Sequence, residues 1–446
     1  MEIYCKNNGV KREFERGIVL TDVFNLLGLD FQGKPICALV NNKLEGLKFR
    51  VYNPKQVEFL GVDSEPARKV YMRSLTFVLH KAVKDLYPDL SLIVEAPVSH
   101  GYFFKLQAVN TGSDFTPVTL EMAQELKRRV SEIIAENHRF HRIEAQAEEV
   151  EALFREHNML DKAKIIEGCG RFYIHYYRLA DTIDYYYGPL VPSTDYLSHF
   201  DLVKYYDGLL LRIPNGGKLP DIVKQEKMLL AYNESHRLLE KLGMTTIGEL
   251  NALTRNGSSG DAIKVAEAVQ EKKIGKIAEQ IAERKDVKVV LVAGPSSSGK
   301  TTFSKRLCVQ LMACGLRPRL ISLDDYFVDR DKTPKDEFGN FDYESIYALD
   351  LYKFQSDLTS LLDGNEIELP QYNFVAGHSE MSGNFLHLDP DTVLVMEGIH
   401  GLNPLMSEKV PEECKFRIYV SALTSIKLDN HNYIPTTDNR LLRRII

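Results

Sequence analysis

A mainly parallel α/β sheet in the C-terminal third, preceded by a small β-rich segment and an α+β segment, is the fold class this sequence predicts. Beyond residue 286, strand-like apolar runs (VKVVLVAG, RPRLISLDD, TVLVMEGIHG, FRIYVSAL) alternate with helical stretches, the pattern of a sheet covered on both faces by helices. The opening sixty residues instead form short apolar runs separated by polar turns, and residues 63–250 mix helical and alternating periods. The length of 446 residues agrees. Single cores stop growing near roughly 250–300 residues, so two or three domains are expected.

In chain order, PICALVNNKLEGLKFRV carries two alternating runs around Asn41 and Asn42, a plausible hairpin turn. From Glu65 to Leu86 the apolar positions Val70, Leu75, Val78, Leu79, Ala82, Val83 and Leu86 share one helical face, which Pro88 ends. LSLIVEAPV and GYFFKLQAV follow as strands. A helix is expected from Leu120 to about Asn137, opened by Thr119 with Glu121 in its first turn. Residues 171–206 concentrate tyrosine, which suits a core and interface of amphipathic rings. The Gly/Ser/Asn-rich stretch NALTRNGSSGD reads as a loop, and Ile263, Ala266, Val269, Ile274, Ile277 and Ile281 then mark a one-faced helix. The expected organisation is 1–62, 63–250, a linker and helix over 251–285, and 286–446.

Composition narrows the class. At 44% hydrophobic and 26% charged residues the chain falls in the folded, globular range, and its net charge of -6 gives no bulk reason to bind nucleic acid or anionic lipid. Six cysteines without a CxxC pair suit a reducing cytosol, and no stretch approaches the ~18 apolar residues of a membrane span. Cys308 and Cys314 are expected as core filler. His138 and His141, an H-x-x-H at a helix end without a third ligand, are assigned no metal.

The sharpest motif is GPSSSGKT, which matches G-x-x-x-x-G-K-[ST] between a buried-strand pattern and the amphipathic TFSKRLCVQLMA. Its glycines let successive N–H groups turn toward phosphate oxygens at a helix N-terminus. Gly294, Pro295, Ser296, Ser297, Ser298, Gly299, Lys300, Thr301 and Thr302 therefore form the expected ATP- or GTP-binding loop. Lys300 would reach the β- and γ-phosphates, and Thr301 would ligate Mg²⁺.

A phosphate loop alone does not separate a kinase from a GTPase or a motor. Strand C-termini in open α/β sheets face the ligand crevice. Asp324, at the end of RLISLDDYF, is the candidate general base on an acceptor hydroxyl, within reach of the Mg²⁺ shell. Glu397, at the end of VLVMEG, is a candidate metal-shell carboxylate. Asp342 in GNFDYES, with Tyr372, Phe374 and His378 in LPQYNFVAGHS, offers an aromatic-plus-polar pocket for a planar base and its sugar.

The ordered block GPSSSGKTT, SLDDYF, GNFDYES, PQYNFVAGHS, VLVMEGIHGL and TDNRLLRRI resembles the uridine kinase branch of the phosphoribulokinase/uridine kinase family. The resemblance implies an ATP-dependent, Mg²⁺-requiring phosphotransferase acting on the 5′-hydroxyl of a pyrimidine nucleoside, in pyrimidine salvage. It implies Asp324 as catalytic aspartate, Asp342 on the ribose, Tyr372 and His378 on the base, Glu397 at the acidic strand end, and Arg440, Arg443 and Arg444 on the arginine-bearing helix leading to a lid. YNFVAGHS has one residue more between aromatic and histidine than the family pattern, and Glu380 stands where a basic residue is common, so the preferred base stays open. The end at Ile446 falls inside a helical run, before the lid and last strand of such kinases.

Residues 1–62, centred on CALVNNKLEGLKFRV, resemble the TGS module. RSLTFVLHKAVKDLYP, APVSHGYFFKL and DTIDYYYGPLVPST resemble the second N-terminal domain of threonyl-tRNA synthetase, where paired His and Cys/His residues edit mischarged tRNA. The corresponding positions here are Arg73, Phe77, Tyr186 and Leu190, none a His or Cys, so editing or metal chemistry is not expected at them. The resemblance implies a binding or regulatory scaffold for RNA, a small ligand or the kinase domain. A cytoplasmic nucleoside kinase is the leading expectation, with self-association open. A nucleotide-gated RNA- or tRNA-binding regulator, and a kinase of a sugar phosphate, are the alternatives.

Overall fold

A computed structural model describes residues 1–109 and 115–446. The chain forms two compact units, residues 1–259 with 425–434, and residues 260–424 with 435–446. The C-terminal domain expected as one continuous stretch from 286 is therefore interrupted. Residues 425–434 leave it and complete the other unit.

The first unit opens with a mixed five-stranded sheet in the order Val10–Glu13, Glu2–Cys5, Lys55–Leu60, Cys37–Val40, Lys43–Gly46. Val40 pairs with Lys43 around Asn41 and Asn42, at φ 48° and 64°. Asparagine tolerates this left-handed backbone better than most residues, so the turn closes the hairpin the sequence suggests. The helix Glu65–Leu86 then packs its Val70, Leu75, Val78, Leu79, Ala82 and Val83 face, together with Leu126, Val130 and Ile133 of the helix Leu120–Ala135, into one core with Leu92, Val94, Phe104 and Leu106 of the antiparallel hairpin Leu90–Val98/Gly101–Ala108. Thr119 caps the second helix by accepting the Met122 N–H at 3.2 Å. That helix ends at Ala135, and His141 lies in the strand Phe140–Gln146, so the two histidines do not share a helix end.

Two further expectations change. NALTR is helical, because Thr246 accepts the Glu249 N–H and opens the helix Ile247–Arg255. Only residues 256–258 separate it from the helix Ser259–Glu283; a cap and a sequence of good formers outweigh the nearby glycines. Cys314 is exposed at the end of its helix, whereas Cys308 packs against the core. The tyrosine-rich stretch divides, with Tyr177, Tyr186 and Tyr205 buried and Tyr173 exposed.

The polar interior of this unit is unusual. In the strand Leu90–Val98 the register shifts between Val94 and Ala96, a bulge that turns Glu95 inward. There Glu95 meets Lys427 of the hairpin Lys427–Asp429/Asn432–Tyr433 at 2.5 Å, both side chains 1–2% exposed. Val94 N–H donates to the Asn430 carbonyl beside the bulge. Asp429 and His431 of the same hairpin reach Lys162 and Asp184. Residues 425–434 thus enter as a polar plug.

His236, on the helix Glu226–Leu242, is buried near this plug and stacks 6.0 Å from Phe115. Burial first, then the Lys427 ammonium, lowers its pKa from 6.5 to about 4. Between those values the unfolded chain binds the proton and the folded chain does not, so the unit loses stability on acidification. From pH 7.5 to 4.5 this residue is expected to remove about 2–3 kcal/mol. His236→Gln should flatten that part of the fall in urea denaturation series across the range.

The second unit holds a four-stranded sheet in the order Arg317–Ser322, Thr392–Gly398, Val289–Ala293, Lys415–Tyr419, every pair parallel. Val290, Val292, Val393 and Val395 face Leu307, Leu311 and the Ile274, Ala278 and Ile281 side of the long helix. Val289, Leu291, Leu394 and Met396 face Phe354, Leu358 and Leu361 of the helix Leu351–Leu362. Burial on both faces explains why these strands are continuous apolar runs. Among the described residues no helix is long and apolar enough to cross a membrane.

Candidate active site

The central strand Val289–Ala293 delivers the chain to residues 294–299 and into the helix Lys300–Ala313. A Cβ on Gly294 would collide with the Val420 carbonyl, and Gly299 has φ +96°, so both glycines of the motif are required by the backbone. Ser297 also has positive φ, at 61°. The helix's first turn carries no acidic side chain, which leaves its amide dipole free to receive an anion.

Three strand ends converge on this loop. The parallel register sets Glu397 beside both Val292 and Ser322. Glu397 is 5% exposed, and its Oε1 accepts the Thr301 hydroxyl at 2.7 Å. Ser322 caps the short helix Leu323–Tyr326 by accepting the Asp324 N–H, so Asp324 is not itself a cap and its carboxylate stands at the crevice. Burial raises the Asp324 pKa above the usual carboxylate value; the Lys300 ammonium and His400 oppose this and Asp325 adds to it. Asp325 is raised by burial and by Glu397, against the Tyr372 N–H it accepts.

The predicted arginines arrive from the helix Thr436–Ile445. Arg440 Nε donates to the Ser296 carbonyl at 2.7 Å, and Arg444 donates to the Ser297 and Ser296 hydroxyls at 3.0 and 2.8 Å. Arg443 Nη2 lies 2.9 Å from where a Gly299 Cβ would be. All three border the phosphate loop.

The acceptor residues assemble in part. Phe327, Tyr372 and Phe374 form a ring cluster with centroids 5.0–6.4 Å apart. In the hairpin Ile367–Asn373/His378–Leu386, Tyr372 pairs with Ser379 and Asn373 pairs with His378. His378 therefore projects from the face opposite Tyr372, exposed and 3.7 Å from Glu380. The expected Tyr372–His378 base-contacting pair is not brought together. Asp342 accepts the Glu344 N–H in its own turn.

Sequence reasoning passed over His400. It follows the Glu397 strand, has a buried Nε2 without a partner, and acts electrostatically on Asp324. The block VLVMEGIHGL already contained it.

In the first unit, the four positions aligned with the editing residues do lie together. The Phe77 and Tyr186 rings are 5.6 Å apart, Leu190 belongs to the same core, and Arg73 donates to the Pro189 carbonyl. They make an apolar and cationic packing site.

Residues 289–431 match the model of the "Phosphoribulokinase / Uridine kinase family". The N-terminal half is similar to threonine–tRNA ligases, 28% identical over 188 residues in Clostridium kluyveri and 29% in Clostridium botulinum strain Hall. Each match covers 42% of this chain and 29% of the ligase, so the chain spans under a third of the length of these relatives. Among solved structures, a possible uridine kinase from Bacillus stearothermophilus is 22% identical over 35% of this chain and 82% of that one, at TM-score 0.26. That similarity bears no weight for substrate. Residues 289–431 thus match the phosphoribulokinase/uridine kinase family model, and the N-terminal half preceding them is similar to threonine–tRNA ligase.

Proposed function

We propose that the chain is an ATP-dependent nucleoside kinase that transfers the γ-phosphoryl group to the 5′-hydroxyl of a pyrimidine nucleoside, uridine or cytidine, in salvage. The observation that carries this reading is Thr301 bonded to Glu397 beside the raised carboxylate of Asp324, all at the mouth of the phosphate loop.

The donor's phosphates fit the loop amides and the Lys300 ammonium, with Arg440 and Arg444 holding the loop's serines. Thr301, Glu397 and Asp324 supply the hard oxygen donors that suit Mg²⁺, and the charge repulsion between Glu397 and Asp325 fits a site that receives a cation. Bound there, Mg²⁺ would offset charge on the phosphate oxygens. Asp324 accepts the proton of the acceptor hydroxyl as its oxygen bonds to the γ-phosphorus and the bond to the ADP oxygen breaks. A carboxylate raised by burial is a better base than one free in water. The Phe327, Tyr372 and Phe374 rings offer a stacking wall for a pyrimidine, and Asp342 an acceptor for ribose hydroxyls.

A coupled assay of ADP release with uridine, cytidine, purine nucleosides and sugar phosphates tests the reading. Turnover of a pyrimidine nucleoside, abolished by Lys300→Ala, is expected. Turnover of a sugar phosphate alone would replace the acceptor, and no turnover would remove the kinase assignment. The similarity to threonine–tRNA ligase favours one second reading, a nucleotide-gated tRNA binder, which predicts salt-sensitive tRNA binding that changes with ATP.

A further inference from the structure

We infer that the first unit contains a divalent transition-metal site formed by His80, Asp184 and His431, independent of the kinase centre. One ligand atom from each residue lies within 4.8 Å of the other two. His80 comes from the helix Glu65–Leu86, Asp184 from the end of the strand Thr182–Asp184, and His431 from the turn of the inserted hairpin. Three distant stretches of chain therefore converge on one point.

Three further observations point to a cation. Both ring nitrogens of His80 are buried and have no hydrogen-bond partner, which is costly unless one of them is a ligand. His431 Nδ1 meets Asp184 Oδ2 at 2.7 Å, so two of the three groups already stand against one another. The surroundings are also rich in carboxylates. Asp184 and Asp429, both fully buried, lie 3.1 and 2.7 Å from the single buried ammonium of Lys162, and Asp161 adds a third carboxylate beside them. Two fully buried carboxylates thus share one buried ammonium, with the exposed Lys84 at the rim, an arrangement that suits a cation beside the imidazoles.

The site is reachable. His80 and His431 line a cavity of about 270 Å³ whose wall also includes His157 and Asp161. Two imidazoles and one carboxylate suit Zn²⁺ or Co²⁺ rather than Mg²⁺, and leave a coordination position for water or a small anion from the cavity. These are not the positions aligned with the synthetase editing residues, which are filled by Arg73, Phe77, Tyr186 and Leu190.

The test uses the full chain, stripped with chelator and offered Co²⁺ or Zn²⁺ alone without nucleotide. One equivalent should survive gel filtration, and His80→Ala and His431→Ala should each weaken its binding by about 10- to 100-fold or more, while His378→Ala should not. X-ray absorption on the Co²⁺-loaded wild type should count two imidazoles, and this reading stands even where a variant fails to fold. No retained metal, unchanged affinity in both variants, or fewer than two imidazoles would each overturn the assignment.

Discussion

On the proposed function, replacing Asp324 by asparagine is expected to lower kcat for phosphoryl transfer by about 10²- to 10⁴-fold, the range over which general bases act. ATP affinity, measured by calorimetry, should change little. The split follows from position. On the proposed reading Lys300, Thr301 and the loop glycines address the donor's phosphates, whereas Asp324 follows the end of a strand separated from the loop's own by the Glu397 strand, beyond the Ser322 cap. Asparagine keeps the volume and the N–H that Ser322 receives, and removes the carboxylate's charge and its ability to take a proton. A fall in ATP affinity of the same size as the fall in kcat would instead make donor and cation binding, and not proton transfer, the main role of Asp324. Equal activity of the variant and the wild type would remove it from the site.

Replacing Lys427 by methionine should destabilise the first unit by about 3–5 kcal/mol, because it strands the Glu95 carboxylate in a place without water. The bulge that turns Glu95 inward leaves that side chain no route to the surface, and its Oε2 already has no partner. Glu95→Gln combined with Lys427→Met should recover most of the loss, since neither member then carries an unpaired charge. The chain has no tryptophan, so urea unfolding followed by circular dichroism is the suitable measurement. Additive losses in the double variant would mean that the two side chains act separately.

What the sequence disclosed, and what it withheld, follows the range of each interaction. The phosphate loop was legible because strand, glycines, lysine and helix are contiguous, and the positive φ that requires Gly299 is a local property of the loop. Glu397 and Asp324 were legible because a parallel strand's C-terminal end is identifiable from its apolar run alone. The Tyr372 and His378 pairing was not, because the faces they occupy depend on where the hairpin turns, and a four-residue connection put His378 opposite Asn373. Thr246 was overlooked as a cap because the glycines after Arg255 dominated the local composition. Least visible was the cluster of His80, Lys162, Asp184, Asp429 and His431. Its members are spread over some 350 residues of chain, and no periodicity marks a buried charge whose partner lies in another domain's sequence.

The hairpin at 425–434 has a consequence for how the protein is made. The N-terminal half cannot pair Glu95, Lys162 or Asp184 with Lys427, Asp429 and His431 until translation has passed the entire phosphate-binding sheet. Domains usually fold in the order of synthesis. Here the first half to leave the ribosome is among the last to be finished, and it must hold an open, charged socket while its neighbour is being built.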